Sequence, residues 1–304
     1  MVLEPVLIVG AGRAGTTLAV ALVRAGQPVE LVARRAERRA AVIQWLKQQQ
    51  IDLLVRAEPI AAAVVVLAVP DRALTVTAQG LVAAGVVADH ACWLHLSGAA
   101  SWQLLQVPGG AEELAAMHPL AALPDPLDLD DVAAAIRPCR GATFAVAGTD
   151  AARAVASALI ARLGGHVVAV ADDARPLYHA AAALAANDLV ALLHMAENAA
   201  VAAGLTPEQA RDGLGHLMQT ALDAVRRLPN GAPLRLGLTG AVARGDASTL
   251  ARHMQALAQH EPASAQIHSE LSRELVNLMR GSNLGPATLA AMDTVLAQAL
   301  PPDD

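Results

Sequence analysis

The sequence predicts an α/β domain with a doubly wound, mostly parallel sheet, followed by an all-α domain. Three observations carry this expectation. The first is a strand, glycine turn, helix and strand in that order between Val6 and Arg35. The second is a succession of short apolar segments, separated by helical periodicity, that continues to about residue 170. The third is the loss of such segments after Ala174, where only helical patterns remain. At 304 residues the chain exceeds one ordinary hydrophobic core, so two domains are expected, over 1–172 and 173–304.

The N-terminal unit is justified residue by residue. Val6 to Val9 are four consecutive apolar residues, the mark of a strand buried on both faces. Gly10-Ala11-Gly12-Arg13-Ala14-Gly15 follows, then a helical pattern through Leu18, Leu22 and Val23 that stops at Gly26, and a second strand over Val29 to Ala33. In this setting each glycine of the GxGxxG turn has a task. Gly10 makes the tight turn, Gly12 lets the backbone approach a pyrophosphate, and Gly15 lets the helix pack close to the strand. The free N–H groups of the first helical turn, at Arg13 and Ala14, attract the anion. NAD sites carry an acid about 20 residues beyond the glycines to bind the ribose 2′-hydroxyl. That position falls near Ala33, followed by Arg34 and Arg35, while Glu30 lies inside the strand. Two guanidinium groups suit a 2′-phosphate, at about 1.5–3 kcal/mol for a charge-assisted hydrogen bond, so NADP(H) is the expected cofactor. The alternative is a solvated basic cluster, because Arg38 and Arg39 follow.

Composition bounds the function. The chain is 55% apolar and 2% aromatic, with one Phe and one Tyr, so its core must be built from Ala, Val and Leu. Its net charge of −6 and the absence of a basic block argue against nucleic acid as a partner. Cys92 and Cys139 are isolated, without metal-ligand spacing, which predicts packing roles, no metal and a reducing compartment. Met1-Val-Leu-Glu-Pro5 lacks the basic start of a leader, and Ile60 to Val69 is too short to cross a bilayer. A cytoplasmic protein without a membrane partner is expected.

Further along, a helix over Ala36–Gln50 leads to a weak strand at Ile51–Val55, then a strong one at Ala62–Val69 that Pro70 must end. Val69 and Pro70 therefore lie at the carboxyl edge of the sheet, where ligands bind in open α/β folds. A helix over Ala73–Ala84 precedes a strand from Ala91 that ends at the same edge with Ser97-Gly98. A helical piece, the stretch Leu114 to Leu120 containing His118-Pro119, and an acidic loop over Leu123–Asp131 come next. Thr143–Ala147 and His166–Val170 read as strands around a helix over Asp150–Leu163. The remaining helices are Arg175–Ala203, Pro207–Arg227, Asp246–Gln259, Ala263–Met279 and Pro286–Leu300, with stops at Gly204, Pro229-Asn230-Gly231, Gly281 and Gly285-Pro286.

The long helix carries a polar stripe. With His179 at zero and about 100° per residue, Arg175 lies near −40°, Asn187 near 80°, His194 near 60°, Glu197 near 0° and Asn198 near 100°. A solvated face carries Lys and Glu, whereas this stripe is mostly His and Asn, with Ala183 leaving room beside them. The other faces are apolar over a wide arc, which predicts burial within the helical domain. At roughly 28 Å the stripe is too long for both ends to face one site, and the N-terminal end is the one expected to do so.

Across nearly its whole length the chain resembles the Rossmann-like oxidoreductases with a C-terminal helical domain of unknown function. These are kin to pyrroline-5-carboxylate reductase and, more distantly, ketopantoate reductase, and their helical part is similar to the C-terminal domain of 6-phosphogluconate dehydrogenases. The stretches that carry the resemblance are Val9 to Gly15, Leu67 to Asp71, His95 to Ala99, Met117 to Leu120, Leu177 to Ala182 with Asn187, and Leu238 to Asp246 followed by His253. The resemblance implies an NADP-linked fold, a homodimer formed through the helical domain, and a site in the interdomain cleft. It implies no substrate. Ketopantoate and β-hydroxyacid enzymes use a Lys and an Asn one helical turn apart, where this chain offers His179 and Ala183.

Hydride transfer needs the reacting carbon within about 3–3.5 Å of the nicotinamide, and reduction of a ketone also needs a proton donor. His179 is the first candidate donor and His118 the second, since imidazole titrates near neutrality. Asn187 shares the stripe with His179. Ser97, at a strand end, is a candidate to bind cofactor or substrate, or simply caps its turn. Arg244 is a candidate partner for a substrate carboxylate, and Asp246 a helix N-cap. The expected function is an NADP(H)-dependent oxidoreductase acting on the C=O or C=N of a small, carboxylated metabolite. Two alternatives stay open: a catalytically silent NADP(H)-binding sensor or assembly protein, and an enzyme like the prephenate dehydrogenases, suggested by His118-Pro119.

Overall fold

The computed structural model describes residues 4–298. Eight strands form one sheet: β1 (Val6–Val9), β2 (Val29–Val32), β3 (Leu54–Arg56), β4 (Ala62–Leu67), β5 (Val87–His95), β6 (Glu113–Pro119), β7 (Thr143–Gly148) and β8 (His166–Ala169). Their order is β3-β2-β1-β4-β5-β6-β7-β8. Every pairing is parallel except β6 with β7. The chain winds outward from β1 in one direction and from β4 in the other, so the switch point lies between these two strands. Ligands of open α/β sheets bind outside the carboxyl ends at such a point.

Helices α1 (Arg13–Arg24), α2 (Ala36–Gln48), α3 (Leu74–Ala83), α4 (Val132–Ile136) and α5 (Asp150–Arg162) cover the sheet. The period-2 alternation of β1 explains why it is apolar throughout. Val6 and Ile8 enter the core that also holds Leu18 and Leu22 of α1 and Leu159 of α5. Leu7 and Val9 enter the other core, with Leu74 and Leu81 of α3 and the fully buried Trp93. Gly10 has φ +116°, and a side chain there would strike the Ala68 carbonyl, while one at Gly15 would strike the Gly10 carbonyl. An added Cβ at Gly12 meets nothing within 4 Å.

Beyond the sheet only helices occur among the described residues: α6 (Arg175–Ala202), α7 (Pro207–Arg226), α8 (Ala241–Arg244), α9 (Ala247–His260), α10 (Pro262–Met279) and α11 (Pro286–Gln298). Thr206 and Gln209 form a capping box at the start of α7, and Asp246 caps α9 through the Thr249 N–H. Val242, Leu250, Met254, Val276, Met279, Leu289, Met292 and Leu296 make the core of this helical part.

Leu114 to Pro119, to which the sequence assigns no element, belongs to a strand, because pairing on both edges and burial override the helical propensity of Ala, Leu and Met. Several expectations are corrected. β5 starts at Val87, four residues before the expected Ala91. The five-residue α4 after the acidic loop and the one-turn α8 inside an expected loop were not foreseen. The expected end of the last helix, Leu300, lies outside the described residues. The long helix α6 is not buried: Arg175 alone in it is buried, while Leu177, Leu184 and Val190 are 78%, 68% and 69% exposed. The reason is that α8 to α11 close the helical core among themselves. By length and composition alone α6 would also suffice to cross a membrane, with a mean hydropathy of 1.3.

Contacts divide the chain into two compact units, 1–186 and 187–304, with the division inside α6. Arg175 and Tyr178, in the first turns of that helix, bond to residues of the sheet unit, which is why those turns group with it.

The glycine turn yields a paired prediction. Gly15→Ala should cost about 1–3 kcal/mol in urea denaturation, as overpacking does, whereas Gly12→Ala, with open space around it, should cost clearly less. Equal losses would contradict the packing assigned to Gly15.

Candidate functional site

The carboxyl edge of the sheet carries two groups of residues. The first is a pocket of about 310 Å³ whose lining includes Gly10, Gly12, Arg34, Arg35, Val69 and Pro70. Gly12 is the N-cap of α1 and no side chain caps this helix, so the N–H groups of Arg13 and Ala14 have no protein acceptor among the described residues. Such N–H groups at a helix start form an anion site.

The basic cluster that follows β2 separates into two kinds of arginine. Arg38 donates from Nε to the Ala11 carbonyl at 2.7 Å and grips the Asp125 carboxylate with both Nη atoms at 2.9 and 2.8 Å. That pairing holds the Asp125 carboxyl below its ordinary range. Arg39 donates to the carbonyls of Ala33 and Arg34. Arg34 and Arg35 are exposed and make no hydrogen bond or ion pair among the described residues. The one acid on β2, Glu30, is paired with Arg56 of β3. The pocket therefore offers two unengaged guanidinium groups and no carboxylate, which fits a phosphate on the ribose better than a hydroxyl.

The second group lies at the ends of β5 and β6. His95, the last residue of β5, is buried and accepts the Ser97 N–H at Nδ1, 3.1 Å away, so its proton sits on Nε2, 3.3 Å from the Ser101 carbonyl. Burial, reinforced by Arg175, pushes this imidazole down to about 4. Ser97 Oγ donates to Asp71 at 2.7 Å and accepts the Ala100 N–H at 2.9 Å. Arg175 is fully buried and donates from Nε to the Ala100 carbonyl at 2.9 Å and from Nη2 to that of Ser97, leaving Nη1 unpartnered. Asp172 accepts from Ser101 Oγ and the Trp102 N–H. The loop from Ser97 to Trp102 is thus fastened at every polar step.

Gly98 sits at the centre of that loop and is buried beneath two imidazoles. A side chain there would strike His179 Nδ1 and come within 2.9 Å of His118 Nε2. The two rings meet edge to face, with centroids 5.4 Å apart. His118 Nδ1 lies 2.7 Å from the Tyr178 hydroxyl. Burial first, then the neighbouring His179 and Arg175, push the His118 imidazole down to about 4, and burial also raises the Tyr178 phenol. His179 itself is exposed.

Of the residues expected from sequence, His179, His118 and Ser97 come together here, and the N-terminal end of the polar stripe is the one involved. The Ser97 hydroxyl is engaged in the capping role that was the alternative for it. Asn187 is exposed on α6 and makes no side-chain hydrogen bond among the described residues, while Glu197 pairs with Arg211 and His194 with Asn198. Arg244 ends α8, exposed and without a side-chain partner among the described residues, and Asp246 is engaged in capping α9. Cys92 and Cys139 are buried free thiols pushed up to about 12 by burial, which suits packing. Asp71, Gly98 and Tyr178 were not singled out by sequence reasoning. Pro70-Asp71 at a strand end was the available signal for the first, and nothing in the sequence pattern pairs Tyr178, the chain's one tyrosine, with His118.

A glycine-turn pocket at the switch point of a parallel sheet, followed by a helix-rich region, defines a protein of the Rossmann type. The chain carries a Rossmann-like domain, matched over residues 3–119, and the domain of unknown function DUF2520, matched over 142–275. No curated protein is significantly similar to it in sequence. Among solved structures it is similar to a protein from Thermotoga maritima at 18% identity and TM-score 0.67, covering 92% of this chain and 100% of that one. A candidate NADP oxidoreductase from Bacteroides fragilis gives 19% identity and TM-score 0.69, covering 90% and 98%. A pyrroline-5-carboxylate reductase from Coxiella burnetii gives 14% and 0.59, also covering 90% and 98%. At these identities the likeness is one of fold.

Proposed function

We propose that the protein is an NADP(H)-dependent oxidoreductase acting on the C=O or C=N of a small, carboxylated metabolite. The observation that carries this reading is the position of two imidazoles over Gly98, at the ends of β5 and β6, on the same sheet edge as a pocket with two unengaged arginines. Gly12, Arg13 and Ala14 would hold the pyrophosphate, Arg34 and Arg35 the 2′-phosphate, and Val69 and Pro70 would flank the dinucleotide. The cofactor, when bound, supplies or accepts the hydride. His179 is exposed and lies beside His118, and it serves as the proton donor to a carbonyl oxygen. His118, held neutral at pH 7, orients that oxygen. Ser97 keeps the loop beneath them in place through Asp71. The proteins of similar fold from Bacteroides fragilis and Coxiella burnetii, a candidate NADP oxidoreductase and a pyrroline-5-carboxylate reductase, support this class of reaction.

We further propose a homodimer formed through residues 173–304. The exposed leucines and valines of α6, with an apolar groove of about 900 Å³ lined by residues such as Leu192, Met195, Leu217, Leu257 and Leu271, form more apolar surface than soluble monomers leave uncovered. Light scattering should report a dimer at micromolar concentration. A monodisperse monomer, or a protein that floats with lipid vesicles, would refute it.

NADPH should bind at least about tenfold more tightly than NADH in fluorescence titrations, and Arg34→Ala should remove most of that difference while leaving NADH binding nearly unchanged. Equal affinities in the unmutated protein would overturn the assignment of Arg34 and Arg35.

The function itself is tested by assaying 2-keto acids and cyclic imines with NADPH. His179→Asn should retain the fold and NADPH binding but lower turnover of a keto acid by roughly 10²–10⁴, the range for loss of a general acid. A protonated imine needs no acid, so its reduction should fall little. Tight NADPH binding with no turnover of any such substrate would favour a sensor over an enzyme.

A further inference from the structure

We infer that Tyr178 is a positioning residue that fixes His118 in the tautomer protonated on Nε2, and that the site above Gly98 thereby selects a carbonyl oxygen over an iminium nitrogen. This rests on the reading of His118 and His179 as the polar groups that face substrate.

The geometry leads there in three steps. The Tyr178 hydroxyl lies 2.7 Å from His118 Nδ1, which is the one hydrogen-bond partner it has among the described residues. A phenol titrates near pH 10 and burial raises this one, so at neutral pH it keeps its proton and has it to donate to its one protein partner. Nδ1 is where it goes. A neutral imidazole has one N–H and one acceptor nitrogen, so accepting at Nδ1 leaves the proton on Nε2. His118 is neutral at pH 7 because burial, His179 and Arg175 all disfavour its cation. The third step is direction. His118 Nε2 and His179 Nδ1 both lie against Gly98, so closely that a Cβ on that residue would strike them.

A substrate group that reaches His118 Nε2 meets a fixed N–H donor. A carbonyl oxygen, and still more the alkoxide developing from it, accepts that hydrogen bond. An iminium nitrogen is itself a cationic donor without a free lone pair, so it meets donor against donor. The reverse tautomer would present a lone pair at Nε2, favour the iminium, and leave the phenolic proton without a protein acceptor. Tyr178 thus chooses between two substrate classes from one residue behind the reacting group.

The tautomer can be read without any substrate. In full-length protein labelled with ¹⁵N-histidine, long-range proton–nitrogen correlations at pH 7 distinguish Nε2–H from Nδ1–H, and loss of signals in His118→Gln assigns the residue. We expect Nε2–H with a hydrogen-bonded Nδ1 in the wild type. In Tyr178→Phe, the Nδ1 resonance should move to the unbonded position and the His118 pKa should rise, because a bond favouring the neutral ring has gone. A wild-type Nδ1–H form, or spectra unchanged by Tyr178→Phe, would overturn the inference. For selectivity, kcat/KM with NADPH is compared for pyruvate, 2-oxoglutarate and 1-pyrroline-5-carboxylate. Tyr178→Phe should lower the keto-acid values about tenfold and leave the imine value unchanged or raised, a split that general damage to the fold would not produce. Equal losses on both classes would also overturn it. If no substrate is turned over, the functional reading falls while the NMR result still decides the role of Tyr178.

Discussion

A helix can begin at the end of a strand and still pack against that strand only where backbone meets backbone. Here the contact is made by Gly10, Gly15 and Ala68, which no Cβ at either glycine would permit. It brings α1, β1 and β4 together at the switch point. It also aims the uncapped N–H groups of α1 at the carboxyl edge of the sheet. The anion pocket is a by-product of that packing: Gly12, freed of any structural contact, borders open space because its two partner glycines take up the steric demand. The cofactor preference proposed for the pocket follows from how nearby charges are used. Arg38 and Arg39 are bound to carbonyls and to Asp125, and Glu30 to Arg56, so the charges left for a ligand are those of Arg34 and Arg35.

The second group of residues depends on a different constraint, the desolvation of Arg175. A fully buried guanidinium must find acceptors, and it finds them in the carbonyls of Ser97 and Ala100. Because Arg175 opens α6, the same bonds that satisfy it dock the start of that helix on the loop after β5. Tyr178 and His179 follow three and four residues later, one helical turn on, and so reach His118 and Gly98. Burial, with this positive charge adding to it, keeps His95 and His118 uncharged. One buried cation thus sets the geometry of this cluster and reinforces its protonation.

These two constraints differ in how visible they are in sequence. Gly10, Gly12 and Gly15 are local, with a fixed spacing between a strand and a helix, and the fold class and the place of the glycine-turn pocket could be read from them. Their supporting pattern, apolar runs ended by Pro70 or by Ser97-Gly98, is local too. The contacts of Arg175, Tyr178 and Asp71 join residues dozens to nearly eighty positions apart, and no periodicity encodes which histidine a tyrosine will meet. The helical arithmetic could place His179 on a stripe but not choose its neighbour. β6 was illegible for a related reason: Leu-Ala-Ala-Met is helical by propensity, and only pairing with β5 and β7 makes it a strand.

The exposure of α6 follows from composition as well. With 2% aromatic residues the chain has few large side chains to fill space, so its helices must approach closely through alanine to bury area. The helices α8 to α11 instead fill their core with leucine, valine and the methionines Met254, Met279 and Met292. Their core closes without α6. Sequence periodicity reports that a helix has an apolar face, and it cannot say which surface covers it, because a face satisfied by another molecule and one satisfied by the chain's own core carry the same residues. In α6 the N-terminal turns are explained by Arg175 and its carbonyl partners. The later turns leave Leu184 and Val190 open and place Leu192 and Met195 on an apolar groove.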